Sequence, residues 1–330
     1  MFKKIFCVYF MCCAVAVHAQ KNSKPVSIIF DSDMGPDYDD VGAITLLHAF
    51  ADSGQAKILA TIASTKYEGV AGVMNVLNTY FNRPGIPVGV PKGKASELRD
   101  GQYWTDTLLA KYPHSIKIND DAPDAIEIYR KVLAAQPDKS ITIVTVGFLT
   151  NLANLLQSKA DKFSSLNGKE LVKQKVKQLV CMAGRFPSGK EFNVHIDAEA
   201  SQYVFNNWPG NILFSGFEIG KKIKVGLPLI HNDNIRNSPV KDVFRICIPM
   251  AAEDSAGRMS WDETAVLVAV KGFAPFYHLQ YGHIEVANDG SNEWNDKGET
   301  QAYLVEAIPS AEVQALINKL IMHQPAKKSE

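Results

Sequence analysis

The sequence predicts an α/β fold: a mostly parallel central β-sheet with helices on both faces. Short runs that are apolar throughout alternate along the chain with stretches whose apolar residues recur at helical spacing. Strands with no polar alternate face are buried on both sides, as in a parallel sheet covered by helices. The residue types that carry chemistry follow directly on those apolar runs, which is where such sheets bind ligands.

The elements read in order as follows. Pro25–Phe30 is a strand and Asp40–Ala51 a helix, with Ile44, Leu47 and Phe50 on one face. Lys57–Ala63 is a strand, Val70–Phe81 a helix and Ile86–Val90 a short strand. Asp121–Gln136 is a helix opening at Asp121 or Ala122, with Pro123 in its first turn. The β-branched run Ile141–Val146 is a strand, and Asn151–Lys159 the helix after it. Strand Leu179–Ala183, helix Ala198–Asn206 and strand Asn211–Phe217 continue the alternation. Residues 273–307 form a hairpin or meander, and Ala311–His323 a closing helix. Residues expected just beyond the strands are Asp31–Asp40, Ser64–Thr65, Val146–Gly147, Arg185 and Glu218. There is no internal repeat, long linker or low-complexity tract, so one domain over residues 21–330 is the simplest organisation.

Composition excludes some classes. The 330 residues are 46% hydrophobic and 21% charged, with a formal net charge of zero. No basic excess suits nucleic acid, and no acidic excess suits a solvating tail. Residues 1–20 stand apart: Lys3 and Lys4 precede the apolar run Ile5–Val17, with small or apolar residues around a cut after Ala19. That is the layout of a secretory signal peptide, which predicts a secreted or periplasmic protein. The run is short for a membrane span, which needs about 20 apolar residues. An uncleaved anchor is the alternative; a lipoprotein at Cys12 or Cys13 lacks the usual small residue before the cysteine. The remaining chain keeps Cys181 and Cys247, too few for a disulfide framework, and Cys181 reads as a buried thiol.

Asp31, Asp33, Asp37, Asp39 and Asp40 place five carboxylates in ten residues after the first strand. Packed this closely they repel, and a cation or protonation must relieve them. Oxygen donors favour Ca²⁺ or Mg²⁺ over zinc, and the cluster is read as a divalent-metal site, calcium first. Helix capping is the bland reading for Asp39. An EF-hand starting at Asp31 would need Gly and Glu where Pro36 and Gly42 stand. A haloacid-dehalogenase-type phosphatase would want Thr where Gly35 stands.

The cluster resembles the N-terminal signature of the inosine–uridine-preferring nucleoside hydrolases. Three further stretches are similar to that family in the same order: Thr145–Ala153, Glu191–Ala200 and Trp261–Val266. The resemblance implies a nucleoside hydrolase-like sheet with a Rossmann-like core and a bound Ca²⁺. It also implies hydrolysis of the N-glycosidic bond of a small ribonucleoside, and a homodimer or homotetramer. Asp33, Asp40, Asp262 and the Val146 carbonyl would hold the metal. Asp33 would be the general base toward the attacking water. Asp39, Asn193 and Glu191 would bind ribose hydroxyls.

Four departures accompany the resemblance. Pro36-Asp37-Tyr38 lengthens the loop by two residues, so Asp37 and Asp39 can exchange roles. Trp261 stands where many members carry a His that helps the base depart; it either stacks on a purine or is a rim aromatic. The loop before Glu191 is shortened to Arg185–Lys190, so one sugar contact is lost or taken over by Arg185. Ser64 or Thr65 occupies the place of an expected Asn. His195, if its segment is extended, shares a face with Asn193 and meets substrate; a structural role is the alternative. His48 reads as structural, and Lys66-Tyr67-Glu68 as a lid or an ordinary polar loop. Two other functions stay open: a non-catalytic ribosyl- or glycan-binding protein that keeps the metal shell, and hydrolysis of another glycosidic bond.

Overall fold

The computed structural model describes residues 24–326. The proposed signal segment, residues 1–20, lies outside them. Twelve strands occur among the described residues: β1 Val26–Ser32, β2 Ala56–Ala63, β3 Val88–Gly89, β4 Ile141–Thr145, β5 Val176–Met182, β6 Ser188–Lys190, β7 Ile212–Ser215, β8 Lys224–Val225, β9 Arg258–Met259, β10 Tyr277–Val286, β11 Ser291–Asn295 and β12 Gln301–Glu306. The helices are α1 Asp39–Asp52, α2 Val70–Tyr80, α3 Trp104–Lys111, α4 Ala125–Ala134, α5 Thr150–Gln157, α6 Gly168–Lys175, α7 Phe192–Ile196, α8 Ala198–Asn207, α9 Phe217–Gly220, α10 Leu227–Ile230, α11 Pro239–Cys247, α12 Asp262–Lys271 and α13 Ser310–Ile321.

Ten strands form one sheet in the order β3-β2-β1-β4-β5-β7-β12-β10-β11-β6. From β3 to β12 all neighbours are parallel; β10, β11 and β6 add an antiparallel margin. Successive side chains of a strand point to opposite faces, so each parallel strand feeds two cores. Ile28, Phe30, Val144 and Val180 pack under α1, α2, α11, α12 and α13. Ile29, Ile143 and Leu179 pack under α4, α5, α6 and α8. Full burial of each such aliphatic side chain contributes about 1.5–3 kcal/mol. β8 and β9 form a separate two-stranded ribbon that pairs Val225 with Arg258.

The expected parallel sheet, covered on both faces, is present. The first strand runs two residues further than expected, because Asp31 stays in register between Ile62 and Thr145. The helix expected from Asp121 opens instead at Ala125: Asp124 accepts from the Ile126 amide, and residues 119–121 make only a 3-10 turn. α3, α7, α9, α10 and α12 have no counterpart among the helices read from the sequence, and neither do α6 and α11. The capping signals of the last two were in the sequence, Asn167 with Glu170 before α6 and Ser238 before Pro239 in α11. Few apolar residues mark α6, whose buried side chains include only Leu171 and Val172.

Candidate active site

The chain runs from β1 outward to β2 and β3, then crosses back to β4 on the other side of β1. The crevice at such a reversal, beyond the carboxyl ends of the strands, is where open α/β sheets hold ligands. Asp33 stands there. Its carbonyl accepts from Thr65 Oγ1 at 2.8 Å. A β-carbon on Gly147 would come within 2.4 Å of the Asp33 nitrogen, so only glycine lets the turn after β4 close against the Asp33 loop. Both Asp33 carboxylate oxygens are buried without a hydrogen-bond partner. Burial first, then the charges of Asp40 and Glu191, hold its carboxyl well above the usual carboxylate range.

Asp40, in the first turn of α1, accepts from Ser32 Oγ at 2.5 Å and from the Met34 amide at 3.3 Å, both on Oδ1. Its Oδ2 has no partner. Burial pushes it up to about 6 despite those donors. Asp262 opens α12; burial and the charges of Asp40, Asp33 and Glu263 push it upward too. The Val146 carbonyl, at the end of β4, accepts from Asn193 Nδ2 at 3.0 Å, which also reaches the Met182 carbonyl at 3.2 Å. Glu191 caps α7, taking the amides of Asn193, Val194 and Gly184 at 2.8, 3.1 and 3.2 Å; burial brings it to about 7.

The five aspartates separate. Asp31 does not join the cluster: its Oδ2 accepts from Tyr129 Oη at 2.7 Å and Asn151 Nδ2 at 3.0 Å beneath the pocket. Asp37 binds Arg258 Nη2 and its neighbour's amide, Tyr38 N, at 2.7 Å. Asp39 is buried, with Oδ1 on Arg258 Nε and Nη2 at 3.2 and 3.0 Å. Its Oδ2 accepts from the Trp261 and Asp262 amides at 3.0 and 3.2 Å. Asp31 Oδ1, both Asp33 oxygens and Asp40 Oδ2 have no partner, but of these three residues only Asp33 and Asp40 act on one another through their charges.

Other candidates are placed as follows. Trp261 Nε1 donates to the Phe217 carbonyl at 2.8 Å; Phe217 stacks on the indole at 5.3 Å, and Arg258 Cζ stands 5.1 Å from its centroid. Trp261 is thus fixed between Phe217 and Arg258, at the start of the turn that carries Asp262. Arg185 is exposed at the rim, its guanidinium 5.2 Å over Phe217. His195 is a correction. Its segment is helical, so two residues on from Asn193 it turns away; it is exposed, with Nδ1 beside the Asp289 carbonyl at 3.1 Å. His48 is buried and structural, stacked on Phe81 and bonded to Asn78. Lys66–Glu68 is not a free lid: buried Tyr67 donates to the Met34 carbonyl at 2.6 Å, and Glu68 accepts from the Asn119 amide at 2.9 Å. Ser64 Oγ accepts from the Phe148 amide at 3.0 Å. Glu218 accepts from the Phe186 amide at 3.0 Å.

Two residues at the site carried no usable sequence signal. Arg258 reaches the pocket only through the β8–β9 ribbon. Glu263 is buried, with Oε2 on Ser260 Oγ at 2.8 Å and Oε1 unpartnered against Gly42, where a β-carbon would come within 2.0 Å. Burial pushes Glu263 up to about 8.

Do these residues suit a hard cation? Among the described residues no group of three or more Asp, Glu, His or Cys side chains is arranged so that its side chains alone could hold a metal ion. What is present is an open set: three partnerless oxygens on Asp33 and Asp40, and Asp262 raised by their charges. The nearby cation, Arg258, bonds Asp37 and Asp39 and neither Asp33 nor Asp40. Buried charge without a counter-charge is costly, and an all-oxygen donor set suits a hard dication. The donors fit the group.

Fold and site together define an α/β protein with a cluster of buried carboxylates at the switch point of a mostly parallel sheet. Within that class the chain belongs to the inosine-uridine preferring nucleoside hydrolase family, whose model matches residues 28–315. An inosine-uridine preferring nucleoside hydrolase of Leishmania major is 27% identical over 206 residues, 59% of this chain and 61% of that protein. A pyrimidine-specific ribonucleoside hydrolase RihA of a Shewanella strain is 28% identical over 235 residues, 68% of this chain and 66% of its own length. The matched segment thus spans less than two thirds of either relative. A solved plant nucleoside hydrolase superposes with a TM-score of 0.69 at 20% identity, over 90% of this chain and 99% of its own, and so shares the fold.

Proposed function

We propose that this protein is a calcium-dependent hydrolase of the N-glycosidic bond of ribonucleosides. The observation that carries the reading is Asp33: a fully buried carboxylate with two free oxygens, beside Asp40 and Asp262, at the switch point of the sheet. Asp33, Asp40, Asp262 and the Val146 carbonyl would hold the cation. When bound, it would answer their mutual repulsion and make water a better nucleophile near neutral pH.

In this reading Asp33 takes the proton of the attacking water as the water's oxygen bonds to the anomeric carbon. The C–N bond breaks and its electron pair leaves with the base, which gains a proton from solvent. Positive charge develops on the sugar, so the surrounding anionic oxygens favour the transition state over the ground state. Asn193 and Glu191 would meet the sugar hydroxyls, while Asp39, whose oxygens are taken by Arg258 and the Trp261 and Asp262 amides, would reach a hydroxyl only by sharing those oxygens. Trp261 and Arg185 form wall and rim. The small-molecule substrate, release of bases for salvage, an assembly of two or four copies and secretion by way of residues 1–20 belong to the same proposal.

Purified protein assayed with inosine, uridine and adenosine, with and without chelator, tests it. Base and ribose should be released from at least one, and chelator should abolish release. No release from any of them, with calcium confirmed bound, overturns the nucleoside form.

A binding-only role is the second reading. Asp39 has both oxygens engaged and Trp261 has no free N–H. Tight ligand binding with negligible turnover would support it; a large loss of turnover in Asp33→Ala would exclude it.

A further inference from the structure

We propose that Arg258 is a positioning residue: with Asp37 from the lengthened loop it forms a latch that fixes Asp39 against the first turn of α12, and so sets where Trp261 and Asp262 stand in the pocket. The inference rests on the reading of this pocket as the nucleoside site.

Arg258 is held on five sides. Its Nε and Nη2 donate to Asp39 Oδ1 at 3.2 and 3.0 Å, and Nη2 also donates to Asp37 Oδ1. Nη1 stands 3.6 Å from Asp254 Oδ2, the atom that accepts from Tyr38 Oη at 2.6 Å. The guanidinium lies 4.7 Å over the Tyr38 ring and 5.1 Å from the Trp261 ring centroid. Asp37 and Tyr38 belong to the loop; Trp261 begins the turn that carries Asp262.

Asp39 is the hinge between the two halves. Arg258 binds one of its oxygens, and the Trp261 and Asp262 amides bind the other. Freed from Arg258, the carboxylate could rotate and release both amides. Among the described residues no other Lys, Arg or His pairs with Asp37 or Asp39. A guanidinium suits the position because its planar fork serves two carboxylates while its faces lie on aromatic rings; an ammonium offers a point charge only. The latch also separates the two loop aspartates: Asp37 anchors Arg258 and Asp39 faces α12.

The latch acts on geometry. Displacement of a catalytic group by about 1 Å can cost on the order of 10²-fold in rate. Arg258→Gln should therefore lower kcat on the best nucleoside by about 10–100-fold, with KM changed by less than about threefold. Asp37→Asn should lower kcat in the same direction by a smaller factor, and the double variant should be no worse than Arg258→Gln alone, since both break one unit. Arg258→Lys should recover part of the loss. Hydrogen exchange supplies a readout independent of turnover: the Trp261 and Asp262 amides should exchange at least about tenfold faster in Arg258→Gln while those of α13 are unchanged. Half-buried Asp37, bonded only to Arg258 and a neighbouring amide, carries the same exchange test if Arg258→Gln fails to fold. Unchanged exchange at residues 261–262, additive losses, or an effect on KM alone would overturn the latch. Wild-type protein inert on every nucleoside, yet showing the exchange effect, would overturn the nucleoside reading and leave the latch standing.

Discussion

The hydroxyl of Tyr129 donates to Asp31 Oδ2 at 2.7 Å, on the α4 side of the sheet and below the pocket. Asn151 Nδ2 adds a second donor at 3.0 Å. Burial still pushes Asp31 up to about 7. Asp31 is therefore a strand residue that ties β1 to α4 and α5, outside the proposed metal set.

Asp31→Asn should accordingly leave calcium binding within about threefold of wild type while altering stability by roughly 1–3 kcal/mol, the range for disturbing a buried hydrogen-bond group. Asp33→Asn should instead weaken binding by far more. Calcium titration calorimetry on the two variants decides: equal losses would place Asp31 in the metal set after all.

Much of this was legible in the sequence, and for physical reasons. A strand buried on both faces must be apolar throughout, so the runs Ile141–Val146 and Leu179–Ala183 announced a parallel sheet, whose strands there are Ile141–Thr145 and Val176–Met182. Asp33, Asp40, Val146 and Asp262 were named together through the resemblance to the family; Asp33 and Val146 follow strands, and Asp40 and Asp262 lie in first helical turns. What was not legible depended on tertiary contact. The charge density that marked five aspartates could not say that Asp31 turns toward Tyr129 and Asp37 toward Arg258. Nor could it show Arg258 itself, a lone Arg in the turn before Trp261. His195 was misplaced because a five-residue helix replaced an assumed strand, and a half-turn of error in period reverses the face.

Stability should fall as pH rises in the metal-free protein. Asp40, Asp31 and Glu263 are raised by burial to about 6, 7 and 8. A carboxyl raised above its unfolded value keeps its proton longer in the folded state. Its stabilising contribution is complete below the unfolded pKa and is lost as pH climbs through the folded one. Chelator-treated protein should therefore melt lower at pH 8.5 than at pH 5.5, and calcium should restore most of the difference at the higher pH. A metal-free melting temperature flat across that range would contradict the arrangement.

His48 should act with the opposite sign. It is buried, stacked on Phe81 at 4.6 Å, with Nε2 toward Asn78 Oδ1 at 3.2 Å and Nδ1 facing Arg83 Nη1 at 3.4 Å. Asn78 Oδ1 can only accept and Arg83 can only donate, which selects the neutral ring protonated on Nε2. Burial, then the charge of Arg83, lowers it from 6.5 to about 3. Between those values the unfolded chain binds a proton that the folded one refuses, so stability falls on acidification by about 1.4 kcal/mol per pH unit from this group. Urea melts between pH 6.5 and 4.5 should show a shallower acid loss in His48→Gln than in wild type. Parallel slopes would mean that the ring is not held neutral.

Leaving-group chemistry separates this pocket from one with a protonating histidine. Trp261 donates its only side-chain hydrogen to the Phe217 carbonyl at 2.8 Å, and His195, exposed beside Asp289, is directed elsewhere. Neither side chain therefore offers a departing base a free proton, and its negative charge would be met by solvent. General acid catalysis contributes roughly 10²–10⁴-fold where it operates, so its absence should appear as a steep dependence on the leaving group. A riboside with a nitrophenolate leaving group should be cleaved with kcat/KM about 10²–10⁴ above that for inosine. The acid limb near pH 6.5 that a catalytic histidine would impose should be missing from the inosine profile. As the proposed general base Asp33 would serve both substrates alike, so Asp33→Ala should depress the two rates by the same factor and leave their ratio unchanged. Comparable kcat/KM on both substrates would mean that a proton donor does reach the base; Arg258 Nη1, which makes no hydrogen bond and sits 3.6 Å from Asp254, would be the first group to replace.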